Sequence, residues 1–291
     1  MNTGSGHVDL KQAIKNLDVL PAMPVIAQRL LALKLDTEEG ERMLLVLIEE
    51  DPQISAKIVG LANSALIGAS RHIATVKDAA MLLGNKRVQS VATGIAIMSL
   101  MTKVPSGKVN MQDLWLHSIC IAFATLGIAR AMPAKMRPHD DQIFLAGMLH
   151  DIGYLVLAYL DPKLSDKLHT RLAAEPERPA MEVEREILDT CHDELGAELA
   201  RHWNLPEEII AVLRYHHSPD ADGAAVGQPL VRMINITEKL LPPFGVSEYV
   251  APEISAGEWE ALGISPSKTA EVKELVDEEV EQAMQFASSF T

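Results

Sequence analysis

A chain of 291 residues that is 48 % apolar but only 4 % aromatic has material for one large core or two ordinary ones, built from Ala, Leu, Ile, Val and Met, the mixture that helix-on-helix packing uses. Its formal charge of −14 and pI near 5.1 repel a polyphosphate backbone, and no window gathers the cations that counterion release needs, which argues against nucleic acid as a partner. Cys120 and Cys191 form no paired framework and sit in apolar or helical stretches, as expected of buried thiols in a reducing compartment.

Residues 1–10 lack the apolar core of a signal sequence, and the longest apolar run, 119–129, is shorter than a bilayer requires. The expectation is a cytoplasmic protein that makes no membrane contact, with residues 1–16 as a flexible lead. Pro24 opens a run with Ile26, Leu30 and Leu33 on one face, and Asp51 with Pro52 forms a cap and first-turn pair ahead of Ile54, Ile58 and Leu61. Asn63 and Ser64 have no base nearby in sequence and read as packing or capping residues. Gly84 and Asn85 separate helices predicted over 76–83 and 88–101. The stretch 104–110, with Pro105, Ser106 and Gly107, breaks the periodicity, so 17–104 reads as one helical subdomain and 105–241 as a second.

A helix over 114–130 follows, then a break containing Pro133 and Pro138, then a helix over 142–159 that is apolar nearly all round and should lie at the centre of a bundle. The Glu- and Arg-rich run 175–185 reads as a loop and a solvated helix face. Helices over 194–203 and 207–217 are divided by Asn204, Leu205 and Pro206, with Glu207 and Glu208 in the first turn of the second; another spans 230–241. The extension 242–291 carries a capping-box pattern at Ser255 and Glu258 and an amphipathic helix bearing Val272, Val276, Val280 and Met284. The fold class is all-α, a helical bundle.

One feature conflicts with simple packing. His150 and Asp151 lie within the apolar central helix, where an uncompensated charge or unpaired imidazole costs roughly several kcal/mol. Other predicted helices offer partners in His117, His192, His216, His217 and Glu238. Imidazoles with carboxylates suit Fe, Mn, Ni or Zn, and a bridging carboxylate can bring one or two divalent ions close enough to activate water. For any single histidine an ordinary hydrogen-bonded role outweighs a ligand role. For five of the ten histidines gathered on four predicted helices, the metal reading outweighs it. His7, His72, His139, His169 and His202 lack such company and are expected to be solvated. No phosphate-cradling glycine loop, nucleophile elbow, paired-Cys ribbon or heptad pattern competes with this reading.

The string His117, His150 with Asp151, His192, His216 with His217, then Glu238, resembles the HD superfamily of metal-dependent phosphohydrolases. Leu20, Pro21, Ala22, Met23 and Pro24, then Glu50, Asp51 and Pro52, Leu61 to Ser64, and Ala79 to Gly84 are similar to the opening of its HDOD branch. The resemblance spans roughly residues 17–241 and implies an N-terminal helical subdomain packed on an HD-like one. It also implies a regulatory or signalling module with a signalling protein as partner and a phosphorylated small molecule as a candidate ligand. Metal ligands would be His117, His150, Asp151, His192, His216, His217 and Glu238, the last in place of the usual closing Asp. Active superfamily members carry Lys three residues after the dyad Asp, where this chain has Tyr154, and His216 and His217 are not followed by the Gly-Tyr-Pro motif of cyclic-dinucleotide phosphodiesterases. The leading expectation is therefore regulation through ligand or partner binding. The alternative is a metal-dependent phosphohydrolase with Asp151 in the catalytic role, and a third reading is an adaptor in which the histidines only pack.

Overall fold

The computed structural model describes residues 10, 20–64, 67, 69, 71–246 and 251–288, and among these every regular element is helical. His7 and nearly all of the 1–16 lead lie outside the described residues. The first helices begin where capping chemistry allows. Helix α1 (Val25–Leu31) follows Pro24, α2 (Glu38–Glu49) is capped by the Thr37 hydroxyl, and α3 (Pro52–Ala62) by the Asp51 carboxylate, which accepts from the N–H groups of Gln53 and Ile54. Helices α4 (Val76–Leu83) and α5 (Asn85–Met98) meet at Gly84, whose φ of 85° suits a residue without Cβ. Asn63 closes α3: its amide donates to the Ile73 carbonyl at 2.7 Å and its oxygen accepts from the Ile73 N–H at 2.8 Å, pinning the returning chain.

Helix α6 (Met111–Ala131) is the axis of the bundle, buried almost without interruption from Leu114 to Ala129. Against it pack α7 (Asp140–Leu149), α13 (Leu230–Leu240) and α15 (Thr269–Ser288). The α6–α7 approach is set by Gly147, where a Cβ would meet Ala122 Cα at 2.4 Å. Along α15, Val272, Val276, Ala283 and Phe286 are buried while Met284 is 47 % exposed. The buried stripe therefore leaves the straight i, i+4 line expected from sequence, because 3.6 residues per turn carries that line off the contact face.

Two segments, Met111–Ala131 and Asp140–Leu160, are long and apolar enough by length and composition to cross a membrane, so the 119–129 run understates the apolar length of the helices. Of their most apolar windows, 78 % and 89 % lie buried inside the bundle, as in core helices. The second segment is also not one helix. It breaks into α7 and α8 (Ile152–Leu160), with Asp151 at φ −99°, ψ 14° between them. In an unbroken helix adjacent side chains diverge by about 100°; the break lets His150 and Asp151 enter one cavity.

Helices α9 (Pro162–Ala174), α10 (Ala180–Leu188), α11 (His192–His202) and α12 (Glu207–Tyr215) complete this half. Around 175–185, Arg178 pairs with Glu175 and Glu186 at the surface as the charge pattern suggests. Glu184, however, is fully buried, so the expectation of a wholly solvated face is wrong at that residue. The N-terminal helices join the rest through Met148 seated against Gly94 and through the Trp203 indole N–H, which donates to the Pro21 carbonyl at 3.0 Å.

Candidate metal centre

Each residue of the cluster is delivered by a helix end or a helix break. His117 lies in the second turn of α6, His150 and Asp151 form the α7–α8 joint, and His192 is the first residue of α11. His216 and His217 follow the C-terminus of α12, and Glu238 sits in the last turn of α13. The seven side chains predicted from sequence converge. His150, Asp151, His192 and His216 are fully buried, His117 and Glu238 nearly so, and His217 half-buried.

The donors form two overlapping sets, His117 with His150 and Glu238, and Asp151 with His192, His216 and His217. Asp151 also joins them. Its Oδ2 faces His117 Nε2 at 3.3 Å and His150 Nε2 at 3.4 Å, and its Oδ1 faces His192 Nε2 and His216 Nε2, each at 3.5 Å. Glu238 Oε1 lies 3.4 Å from His150 Nε2, and Oε2 lies 3.7 Å from His217 Nδ1. Ring nitrogens face one another as well, His117 to His150 at 3.1 Å, His192 to His216 at 3.2 Å and His217 to His192 at 3.1 Å through their Nε2 atoms.

The opposite ring nitrogens decide what those contacts mean. His150 Nδ1 lies 2.8 Å from the Gly147 carbonyl, and His216 Nδ1 lies 3.0 Å from that of Val212. His192 Nδ1 lies 2.8 Å from Glu184 Oε1. Carbonyls and carboxylates only accept, so Nδ1 carries a proton in all three rings, and it is Nε2 that each ring turns inward, the atom that offers a lone pair to a metal when the ring is neutral. Burial lowers the pKa of His216, with Asp151 partly opposing, and burial together with the neighbouring imidazoles holds His217 well below its ordinary value, so both stay neutral. Burial pushes the Asp151 carboxyl up, but the surrounding imidazoles, His150 foremost, more than reverse this and hold it well below the usual carboxylate range. Neither Asp151 oxygen completes an aligned hydrogen bond.

Lone pairs converging on an ionised carboxylate in a dry cavity repel unless a cation lies among them. Two donors each about 2.1 Å from one ion stand roughly 3.0–3.4 Å apart, close to the separations observed. The donor set therefore fits a divalent metal.

Outside this set, Glu184 was not anticipated as a site residue. It accepts from the His192 backbone N–H at 2.8 Å and from the Tyr154 hydroxyl at 2.7 Å while holding the His192 ring. It thus caps α11 from a neighbouring helix, since Cys191 at the cap position contributes no side-chain bond. Burial raises its pKa, and the His192 ring, the His192 N–H and the Tyr154 hydroxyl together lower it below normal. Tyr154, where the resemblance noted from sequence would call for lysine, is fully buried and stacks on His192 with ring centroids 4.4 Å apart. His169 corrects another expectation. It is buried, lies edge-on to Tyr154 at 5.4 Å and places Nδ1 2.9 Å from the Ser165 carbonyl, because the apolar faces of α9 and α8 pack together there. His72 and His139 are exposed and His202 is half-buried. Cys120 and Cys191 are buried thiols, each pushed up to about 12 chiefly by burial.

Two glycines set the depth at which His192 enters. A Cβ on Gly153 would lie 1.9 Å from the His192 carbonyl oxygen, and one on Gly196 would lie 3.3 Å from the Gly153 N. Gly153→Ala should therefore force α8 and α11 apart. The expected result is a loss of about 3 kcal/mol in denaturant unfolding with weaker retention of metal, and unchanged stability would contradict the close approach.

Comparisons with known proteins agree with this architecture. The profile of the HDOD domain family matches residues 20–219. An uncharacterized protein of Treponema pallidum (strain Nichols) is 26 % identical over 211 residues, which cover 72 % of this chain and 40 % of that protein. A crystal structure from Marinobacter aquaeolei VT8, provisionally assigned to signal transduction, superposes with a TM-score of 0.75 at 26 % identity, covering 97 % of this chain and 65 % of that one. The chain thus spans less than two thirds of either relative's length. A provisionally assigned phosphohydrolase from Shewanella amazonensis SB2B shares the fold, with a TM-score of 0.71 at 20 % identity over 98 % of this chain and 99 % of that one.

Proposed function

Because the chain belongs to the HDOD domain family, we propose that it is a signalling module whose HD-type centre holds one or two divalent metal ions and acts through ligand or partner binding. The carrying observation is the convergence of inward-facing imidazole lone pairs on both oxygens of Asp151. Asp151 would bridge, with His117, His150 and Glu238 on one side and His192, His216 and His217 on the other. A bound divalent ion there supplies Lewis-acid polarisation of a phosphoryl oxygen and lowers the pKa of a coordinated water. The protein's own part is to keep the donors neutral or anionic, dry and correctly rotated. Regulation is favoured over turnover by Tyr154, whose hydroxyl is committed to Glu184 where a phosphate-binding cation would stand. A signalling protein as partner and a phosphorylated small molecule as ligand belong to the same proposal.

The retained donor set favours a second reading, a metal-dependent phosphohydrolase with Asp151 as the residue on which activity depends. Elemental analysis of protein purified without added metal, combined with phosphoester turnover assays, separates the two. We expect about one to two equivalents of divalent metal and turnover well below ~1 per second, the slow edge of ordinary enzymes. Turnover at or above that rate selects the hydrolase, and metal-free protein with no response to chelators removes both readings.

A further inference from the structure

A cavity of about 310 Å³ lies where α1, α3 and α5 meet the first turns of α6, at the small end of the range for small-molecule sites. Its walls include Ile54, Ile95 and Met98, all buried, with Ile26, Met111 and Trp115 half-buried around them. The methionines are unbranched and polarisable, so they adapt at little cost to the shape of an apolar guest. None of the metal-centre donors lines this cavity. Trp115 and His117 are two residues apart on α6, so they point about 200° apart around its axis, and the cavity opens on a different face of the helix from the donors.

Two charged groups specify what could enter. Among the described residues that line the cavity, Lys57 is the one cation and Asp51 the one anion. The Asp51 carboxylate already serves as the cap of α3, its Oδ1 accepting from the N–H groups of Gln53 and Ile54 at 2.9 and 3.1 Å. Lys57, further along the same helix, lays its ammonium over the Trp115 ring, 4.4 Å from the centroid, which holds the charge in the cavity lining. Burial lowers the Lys57 pKa and the Asp51 charge only partly offsets this, so an anion brought to the ammonium replaces solvation that the apolar walls withhold. A dianion would also meet Asp51, whereas a single negative charge balances Lys57.

We propose that this cavity binds a small monocarboxylic acid with an apolar body, its carboxylate pairing with Lys57 beside Trp115 and its body lying on Ile54, Ile95 and Met98. The site is separate from the metal centre and does not depend on it. Its occupant would touch both the N-terminal helices and the helix that carries His117. A carboxylate alone gains only a partly exposed ion pair, which is worth little, so most of the affinity comes from the apolar surface that the body buries. The volume suits one small molecule rather than the row of anchors that a partner's helix lays into a groove.

The probe is octanoate, titrated calorimetrically into the full chain, with 1-octanol and acetate as controls. Octanoate should bind more tightly than either. It should also shift the tryptophan emission through Trp115, since Trp203, at the end of α11, and Trp259, on α14 (Ala256–Ala261), do not line the cavity. Lys57→Met keeps an apolar stem over the ring and removes the charge. It should weaken octanoate about tenfold and leave 1-octanol little changed. Ser99→Phe brings a ring to the cavity from an exposed lining position, so it should abolish binding of both molecules while the melting temperature stays near the parent's. No octanoate binding at millimolar concentration, equal octanoate affinity in the parent and Lys57→Met, or undiminished binding by folded Ser99→Phe each overturns the proposal. So does a parent dimer that Ser99→Phe dissociates, because a second copy of the chain would then be what fills the cavity.

Discussion

Asp151→Asn protein is expected to purify with less than about a tenth of the parent's metal and to lose the thermal response to chelators that the parent shows. The change preserves shape but replaces one of two inward oxygens by an amide. Oδ1 and Oδ2 of Asp151 serve different imidazole pairs, at 3.5 Å and at 3.3 to 3.4 Å, so either orientation of the amide deprives one side of its charge and its donor. The NH₂ group would instead donate to a ring nitrogen, which should leave the metal-free fold intact or firmer, since it relieves lone-pair repulsion in a buried site. A metal bound to the native state alone stabilises by RT ln(1 + [L]/Kd), about 2.7 kcal/mol at a hundredfold excess over Kd. The parent should lose stability of that order on chelation and the variant should not. Elemental analysis and chelator-dependent melting check this, and a variant with the parent's metal content and chelator response would refute the bridging role.

How much of this centre could be read before the fold was known follows from the kind of signal each residue leaves. His150 and Asp151 stood out because polar residues amid apolar ones demand partners wherever the segment goes. His192, His216, His217 and Glu238 were legible as dispersed polar residues on predicted helices, and the HD resemblance put them in order. The helix break between α7 and α8 was not legible, because the run 142–159 has no proline and stays apolar on both sides of His150 and Asp151. Beside the break the His192 backbone of α11 lies against Gly153, a tertiary contact that no local pattern announces. Glu184 was hidden for the opposite reason. It lies in a run of charges whose other members, Glu175, Arg178 and Glu186, are surface residues, and the signal that could have found it, its place four residues from both Ala180 and Leu188 on the apolar stripe, is masked by that run. His169 was misjudged because its partner is a backbone carbonyl and its neighbour is Tyr154, neither of which leaves a spacing pattern.

Glu184→Ala is expected to be the most damaging substitution outside the donor set, and it tests whether His192 is held from behind. Three donors converge on this carboxylate, the His192 ring N–H, the His192 backbone N–H and the Tyr154 hydroxyl, all in a fully buried environment. Removing their acceptor should cost about 3–5 kcal/mol, as when one partner of a buried charged network is deleted, and freeing the ring should weaken metal binding about 10- to 100-fold. Tyr154→Phe provides the comparison, deleting one donor while the carboxylate still grips His192, with an expected cost of about 1 kcal/mol and undiminished metal. The sign of the pH dependence follows from the lowered Glu184 pKa. A carboxylate with a folded-state pKa below its unfolded value contributes stability that is full above the unfolded pKa and is lost as pH falls through the folded one. The stability gap between parent and Glu184→Ala, measured by denaturant unfolding of chelated protein, should accordingly be widest near neutrality and narrow on acidification below the ordinary carboxylate range. A gap independent of pH would mean that the carboxylate charge is not what holds the ring, and that packing alone sets the direction in which His192 points.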